Sequence, residues 1–156
     1  MARITTITTP FMLNISVNCY LVREKQGFVL IDTGATGRRK SIERGIREAG
    51  CAPGNLRLIV LTHGDFDHSG NAAYLRGKFG AAVAMHVADA DMLIKGDMLA
   101  NRAHPPIYMR GVMRPIIRRA YALPKADRFI PDLYVEEGDD LTAHGLAGQV
   151  VHLPGH

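Results

Sequence analysis

The segment Thr62-His63-Gly64-Asp65-Phe66-Asp67-His68-Ser69-Gly70 carries two imidazoles and two carboxylates within six consecutive positions. It follows the apolar run Leu-Ile-Val-Leu at residues 58–61, which is typical of a strand buried on both faces. After it, Ala72, Leu75 and Phe79 recur at a helical spacing. The polar cluster therefore lies where a strand ends and a helix begins, the usual place for a ligand site in an α/β fold.

The spacing inside this cluster predicts a metal site. In an extended segment, residues two apart point to the same side, so His63, Asp65 and Asp67 would converge while His68 reaches a second point nearby. Two carboxylates packed together without a cation would repel each other and lose solvation. One or two metal ions would remove that cost.

Alternation of strand and helix patterns along the chain predicts an α/β arrangement. Strands are expected at residues 17–22, 28–31, 56–61 and 81–85, with a weaker opening strand at 3–8 and a last strand at 149–153. Helices are expected at residues 38–49, 71–79 and 89–94, and short helices around Pro115. Within the first helix, Glu43 is spaced to pair with Arg47.

The cluster resembles the metal-binding motif of the metallo-β-lactamase-fold superfamily, His-x-His-x-Asp-His, with Asp65 in place of the second His. Upstream, Asp32-Thr33-Gly34 after an apolar strand resembles the family's Asp-Thr-Gly loop. Downstream, His152-Leu153-Pro154-Gly155-His156 resembles the segment whose last His is the third ligand of the first metal.

This resemblance implies a metallo-β-lactamase-like αββα sandwich, of which residues 1–156 form the N-terminal half as one C-terminally incomplete domain. It also implies that Asp67 both binds a metal and orients the attacking water, and that Asp32 supports the site from behind. The ligand set carried over from the family is His63, Asp65 and His156 for a first ion, and Asp67 and His68 for a second.

The expected cofactor is zinc, as one or two ions, because zinc accepts imidazole nitrogen and carboxylate oxygen and keeps a position for water in catalytic sites. The carboxylate at Asp65 makes manganese or iron more competitive than in an all-His set. The expected activity is metal-dependent hydrolysis of an ester, thioester, lactam or phosphoester. Two alternatives remain open: an iron-dependent oxidoreductase on the same fold, and a non-catalytic truncated module that self-associates.

Composition and cysteine content indicate the class of protein and the compartment in which it is expected. The 156 residues include 47% hydrophobic and 22% charged residues, which is ordinary for a globular domain. No segment approaches the roughly 20 apolar residues of a membrane span, and no secretory signal is visible. Cys19 and Cys51 do not form a disulfide framework and are interpreted as structural thiols. A cytoplasmic protein without a membrane partner is expected.

The net charge of +4 is local, because residues 102–128 hold seven Lys or Arg and one acid, Asp127. A nucleic-acid partner is therefore not expected. This basic stretch is either a solvated face or a lid that attracts an anionic small-molecule substrate to the metal cleft. A sheet lacking its second half would also expose apolar surface, so self-association into a homo-oligomer through that uncovered sheet is expected.

Overall fold

The computed structural model describes residues 2–12, 14–98, 111, 114–120 and 122–153, and its centre is a six-stranded sheet. The strands lie side by side in chain order. The first three form an antiparallel meander, and the third to sixth run parallel. Their bounds are β1 Arg3–Met12, β2 Ile15–Glu24, β3 Gly27–Ile31, β4 Leu56–Leu61, β5 Ala82–His86 and β6 Leu133–Val135.

Helices occupy the connections between the parallel strands. Crossovers that step in one direction across a sheet place their helices on the same face, which explains why one large core contains apolar residues from α1, α3 and α4. The helices are α1 Arg39–Glu48, α2 Phe66–Ser69, α3 Ala72–Phe79, α4 Val87–Lys95 and α5 Arg114–Ala120. Single 3-10 turns lie at Thr36–Arg38, Lys125–Asp127 and Thr142–His144.

The second face of the sheet carries a smaller apolar cluster. Leu141 packs there with Val29, Leu58 and Ala84, so the segment after β6 covers the parallel part of this face. On β1 and β2, Ile4 and Tyr20 are exposed. Self-association through this face stays a prediction.

Most of the predicted elements are confirmed, with strand β4 at the predicted bounds. The predicted strand at residues 149–153 is wrong, because Gln149 makes one isolated bridge to Asp140 and the described chain beyond it, to residue 153, forms no ladder. The sequence predicts a turn between strands at residues 136–140 but gives no bounds for the strand before it, β6, since three residues are too few to show a period. Pro115 lies in the first turn of α5, where its missing N–H costs no helical hydrogen bond.

The basic stretch is described in part. Arg118 on α5 pairs with Asp97 just after α4, and the Leu123 N–H donates to the Gly96 carbonyl at 3.1 Å. This section therefore packs against the C-terminal end of α4. A lid over the metal cleft stays a prediction, and Arg110 lies outside the described residues.

The two cysteines are buried and unbridged, as predicted. Burial raises the pKa of the Cys19 thiol to about 12, with a further contribution from the charge of Asp32. Among the described helices, none is long and apolar enough to cross a membrane.

Replacing Glu43 by Gln is expected to remove a pH-dependent part of the stability. Hydrogen bonds from Lys78, Tyr74 and Arg47 hold the pKa of Glu43 at about 2, against an ordinary value of 4.5. This stabilisation, about 1 kcal/mol for a surface network, is present above pH 4.5 and is lost as the pH falls towards 2.

Urea unfolding near neutral pH and at acid pH measures the effect. The wild type should lose stability on acidification more steeply than Glu43→Gln, and the two should converge at low pH. Glu48→Gln on the same helix is the control. Glu48 is exposed, and its ion pair with Arg44 is long, at 3.9 Å, so its loss should change stability little. A constant difference between wild type and Glu43→Gln at all pH values would contradict the prediction.

Candidate metal centre

The polar cluster lies at the carboxyl edge of the parallel strands. Strands β3 and β4 are neighbours, and the Asp32 N–H donates to the Val60 carbonyl at 2.9 Å, so the residues that follow the two strands meet there. Asp32 adopts a left-handed backbone conformation, with φ of 60°. For a residue other than glycine this costs on the order of 1–3 kcal/mol, so surrounding contacts must maintain it.

The buried carboxylate of Asp32 joins three groups of the cluster. It accepts hydrogen bonds from the Thr62 N–H at 2.9 Å and from the Thr62 hydroxyl at 2.8 Å. It also lies 2.8 Å from His68 Nδ1. Asp32 thus connects the end of β4 to helix α2.

These hydrogen bonds fix the tautomers of both imidazoles. A carboxylate only accepts, so the Thr62 hydroxyl and the His68 Nδ1–H both donate to Asp32. The single hydroxyl hydrogen of Thr62 is then used, and in the 2.9 Å contact between Thr62 Oγ1 and His63 Nδ1 the ring nitrogen must donate. In both neutral rings the lone pair is therefore on Nε2, the form that binds a metal ion.

Each Nε2 faces a carboxylate. His63 Nε2 lies 3.7 Å from Asp65 Oδ2, and His68 Nε2 lies 3.7 Å from Asp67 Oδ2. The two rings are themselves neighbours, with centroids 4.2 Å apart. Two donors about 2.1 Å from a tetrahedral zinc lie roughly 3.4 Å apart, so each pair has the spacing and donor types that suit one ion.

The described residues supply these donors as pairs. Among them, no group of three or more His, Cys, Asp or Glu side chains is arranged to hold an ion. His156, the predicted third ligand, lies outside the described part of the chain. The donor chemistry fits zinc, and the site as described is a partial ligand set.

The predicted extended geometry of the cluster is wrong beyond Asp65. Asp65 is extended, with ψ of 142°, but Phe66–Ser69 forms one helical turn, α2. Asp67 therefore lies beside His68 on that turn instead of alternating with His63 and Asp65. A turn of four residues is too short to be seen as a hydrophobic period.

The charge state of His68 depends on its carboxylate neighbours. Burial of the ring lowers its pKa, but the hydrogen bond to Asp32 and the charges of Asp32, Asp67 and Asp65 outweigh burial and raise the pKa above its ordinary value. A proton and a cation compete for the lone pair on Nε2, so the affinity for a cation should weaken on acidification.

The loop after Asp32 holds helix α2 in place. The His68 carbonyl accepts hydrogen bonds from the Thr33 N–H at 2.6 Å and from the Thr33 hydroxyl at 2.8 Å. The Thr36 hydroxyl donates to the Gly70 carbonyl at 3.0 Å. A Cβ on Gly70 would lie 2.6 Å from Thr36 N, so glycine permits this close approach.

Two other histidines lie together at the same edge of the sheet. His86 ends β5, and its Nδ1 accepts a hydrogen bond from the Ala88 N–H, which caps α4. The rings of His86 and His152 stack with centroids 4.2 Å apart. The capping contact gives His86 a structural role.

Sequence reasoning missed two polar residues that organise the cluster, Thr62 and Asn71. Thr62 stands between a buried strand and a candidate ligand, and that position was the only available signal. Asn71 is fully buried, and the partners of its side chain lie more than 30 residues away in the chain. Such long-range contacts leave no local pattern.

Comparison with known proteins is consistent with this geometry. The family model described as the metallo-beta-lactamase superfamily matches residues 14–156, which is most of the chain. This chain belongs to the metallo-beta-lactamase superfamily. Members of the superfamily bind metal ions, often zinc, and are largely hydrolytic.

Among relatives within the metallo-beta-lactamase superfamily, hydroxyacylglutathione hydrolase GloC from Haemophilus influenzae is 30% identical over 141 residues. That alignment covers 89% of this chain and 56% of the relative. The chain therefore spans about half the length of the curated relatives it matches first, and part of the family fold is represented here.

Solved metallo-beta-lactamases share the fold. The enzyme GOB-18 from Elizabethkingia meningoseptica superimposes with a TM-score of 0.66 at 21% identity, covering 89% of this chain and 46% of that one. BJP-1 from Bradyrhizobium japonicum, a subclass B3 enzyme, gives a TM-score of 0.63 at 22% identity, covering 85% and 46%. At these identities the likeness shows the fold alone. The predicted fold class is thereby confirmed.

Proposed function

We propose that this chain provides the metal-binding half of a metal-dependent hydrolase, and that its substrate is an acyl thioester. The observation that supports this most is the hydrogen-bond chain through Asp32, which orients both His63 and His68 with Nε2 towards a carboxylate. Such orientation of ligating imidazoles by a carboxylate is what metal centres in proteins use.

The proposed ligands are His63 and Asp65 for one ion, with Asp67 and His68 contributing to a second, and His156 completing the first. When bound, zinc would lower the pKa of a water molecule towards about 7 and polarise the acyl carbonyl. Asp32 would hold the imidazoles in the coordinating tautomer.

Asp67 would orient the attacking water and accept its proton. The water oxygen attacks the acyl carbon, the carbon–sulfur bond breaks, and the proton passes from Asp67 to the leaving thiolate. The products are a carboxylic acid and a thiol. A carboxylate in this role works by general base catalysis and must lie within reach of the water.

The thioester is preferred within the wider set of ester, lactam and phosphoester substrates because of the relative from Haemophilus influenzae. Its name states hydrolysis of a hydroxyacyl-glutathione, in which the acyl group is carried on the glutathione thiol. The solved β-lactamases resemble this chain below 25% identity and do not favour a lactam.

His63→Ala is expected to lose most of the bound metal. Removing the imidazole takes away one nitrogen donor and leaves Asp65 without its neighbouring donor at 3.7 Å. Elemental analysis of the purified protein for zinc, manganese and iron measures the effect, and also identifies the metal.

His144→Ala is the matched control, since His144 is exposed on a 3-10 turn outside the cluster. Equal metal content in His63→Ala and the wild type would remove His63 from the site. If the native metal is iron and thioester turnover is absent, oxygen consumption should be measured, because an oxygen-dependent reaction would replace hydrolysis as the function.

A further inference from the structure

We infer that Asn71 is a positioning residue of the candidate metal centre, acting through the loop that carries Asp32. The inference rests on the proposed metal-binding function and concerns a residue that makes no hydrogen bond to those proposed ligand side chains that the structure describes. Its basis is a set of buried hydrogen bonds that join the start of α3 to residues 33–35.

Asn71 occupies the N-cap position of α3 but does not cap that helix. Its side chain makes no hydrogen bond to the helix backbone. Asparagine at this position would ordinarily accept a hydrogen bond from the second or third helical N–H. The side chain of Asn71 therefore points away from the helix, and α3 lacks a side-chain hydrogen bond at its N-terminus.

The two N–H groups of the side-chain amide instead face three successive carbonyl oxygens of the loop, all within hydrogen-bond distance. Asn71 Nδ2 lies 2.7 Å from the Thr33 carbonyl oxygen, 3.2 Å from that of Gly34 and 3.0 Å from that of Ala35. The Asn71 N–H donates to the Thr33 hydroxyl at 3.1 Å. One fully buried residue thus provides hydrogen-bond donors for the backbone carbonyls of the loop immediately after Asp32.

This loop needs an external restraint. Asp32 is held at a positive φ that residues other than glycine rarely adopt. In that backbone conformation its carboxylate accepts hydrogen bonds from Thr62 and His68. Asn71 supplies that restraint through its hydrogen bonds to the three residues that follow Asp32, so the orientation of Asp32 is expected to depend on it.

The network continues outward from Asn71. Arg39 Nε lies 3.4 Å from Asn71 Oδ1, and Arg39 Nη2 makes a 2.9 Å ion pair with Asp127. Arg39 also lies over the Tyr74 ring, 4.5 Å from its centroid. The amide oxygen is thereby held by Arg39, which directs the NH₂ group towards the loop carbonyls.

The test compares Asn71→Asp with Leu75→Ala. The aspartate has nearly the same shape but offers no N–H to the three carbonyls, and its charge would face their oxygens. Leu75 is fully buried one turn further along α3, so its truncation destabilises the helix without altering contacts to the loop. Cobalt(II) is the probe, added to metal-free protein at a temperature where every variant is folded.

In Asn71→Asp, the dissociation constant for cobalt should rise by about 10–100-fold and the visible absorption of the bound ion should change. In metal-free protein, the amides of Thr33 and Thr62 should exchange with deuterium at least about tenfold faster, while amides of β4 keep their rates. Leu75→Ala should lower the melting temperature yet keep the cobalt affinity, the spectrum and the Thr33 and Thr62 exchange rates.

Unchanged exchange at Thr33 and Thr62 in Asn71→Asp would overturn the inference, as would the same cobalt loss in Leu75→Ala. If Asn71→Asp does not fold, Asn71→Ser replaces it, since a single hydroxyl donor should give intermediate exchange and affinity. Wild-type values in Asn71→Ser would then overturn the inference. A wild type that binds no cobalt contradicts the proposed function instead, and the exchange arm still decides the role of Asn71.

Discussion

Asp67→Asn is expected to lower kcat for thioester hydrolysis by about 10²–10⁴-fold, the usual contribution of a positioned general base. The amide keeps the shape of the side chain on α2 but does not accept the water proton. It also removes the negative charge that lies 3.7 Å from His68 Nε2. KM should change much less than kcat, because the carboxylate acts on water and not on substrate binding.

Steady-state hydrolysis of an acyl-glutathione, with metal content measured on the same samples, tests this. Asp91→Asn is the control, since the Asp91 carboxylate is half-exposed and pairs with Lys95 on α4. A loss of less than tenfold in Asp67→Asn at equal metal content would show that Asp67 is not the base.

Asp32→Ala is expected to be the most damaging single change at the site. It leaves the Thr62 N–H, the Thr62 hydroxyl and His68 Nδ1 without their buried acceptor. Breaking a buried charged pair by removing one partner costs about 3–5 kcal/mol of unfolding free energy. Zinc affinity should also fall by about 10–100-fold, because neither imidazole is held in its coordinating tautomer.

Urea unfolding and zinc titration separate the two effects. Asp32→Asn tolerates the positive φ and keeps one acceptor oxygen, so its stability should lie between those of the wild type and the alanine variant. Asp132→Asn is the control for loss of a hydrogen-bonded carboxylate, since Asp132 bonds Arg76 and the Val83 N–H. It should lose stability but keep zinc affinity. Wild-type zinc affinity in Asp32→Ala would contradict the role given to Asp32.

The strands and long helices were predictable because their signals are local. The apolar run at residues 56–61 has the composition of a parallel strand, and β4 has those bounds. The first helix shows the expected Glu43–Arg47 pair at 3.0 Å. The brief elements were not predictable, because α2 with four residues and β6 with three are too short for a periodic pattern to repeat.

The candidate metal-ligating residues of the site were predictable from the sequence, but the hydrogen bonds that orient them were not. His63, Asp65, Asp67 and His68 were named from one segment and the family resemblance. His68 is oriented by Asp32, 36 residues before it, and His63 is oriented by Thr62, whose hydroxyl donates to Asp32. Asn71 would be interpreted from sequence as a helix cap, and only the fold shows that its amide faces another loop.

The order of strands in the sheet has a consequence for how the chain folds. Each strand pairs with the strand that precedes it in sequence, so the sheet can grow from the N-terminus by adding one strand at a time to an existing edge. The connections from β1 to β2 and from β2 to β3 are two residues each, whereas 46 residues separate β5 from β6, and the entropic cost of closing a loop rises with its length. The contacts between Asp32 and the segment after β4 need only β1 to β4 and α2. The polar cluster is therefore expected to assemble before β5 and β6 join the sheet.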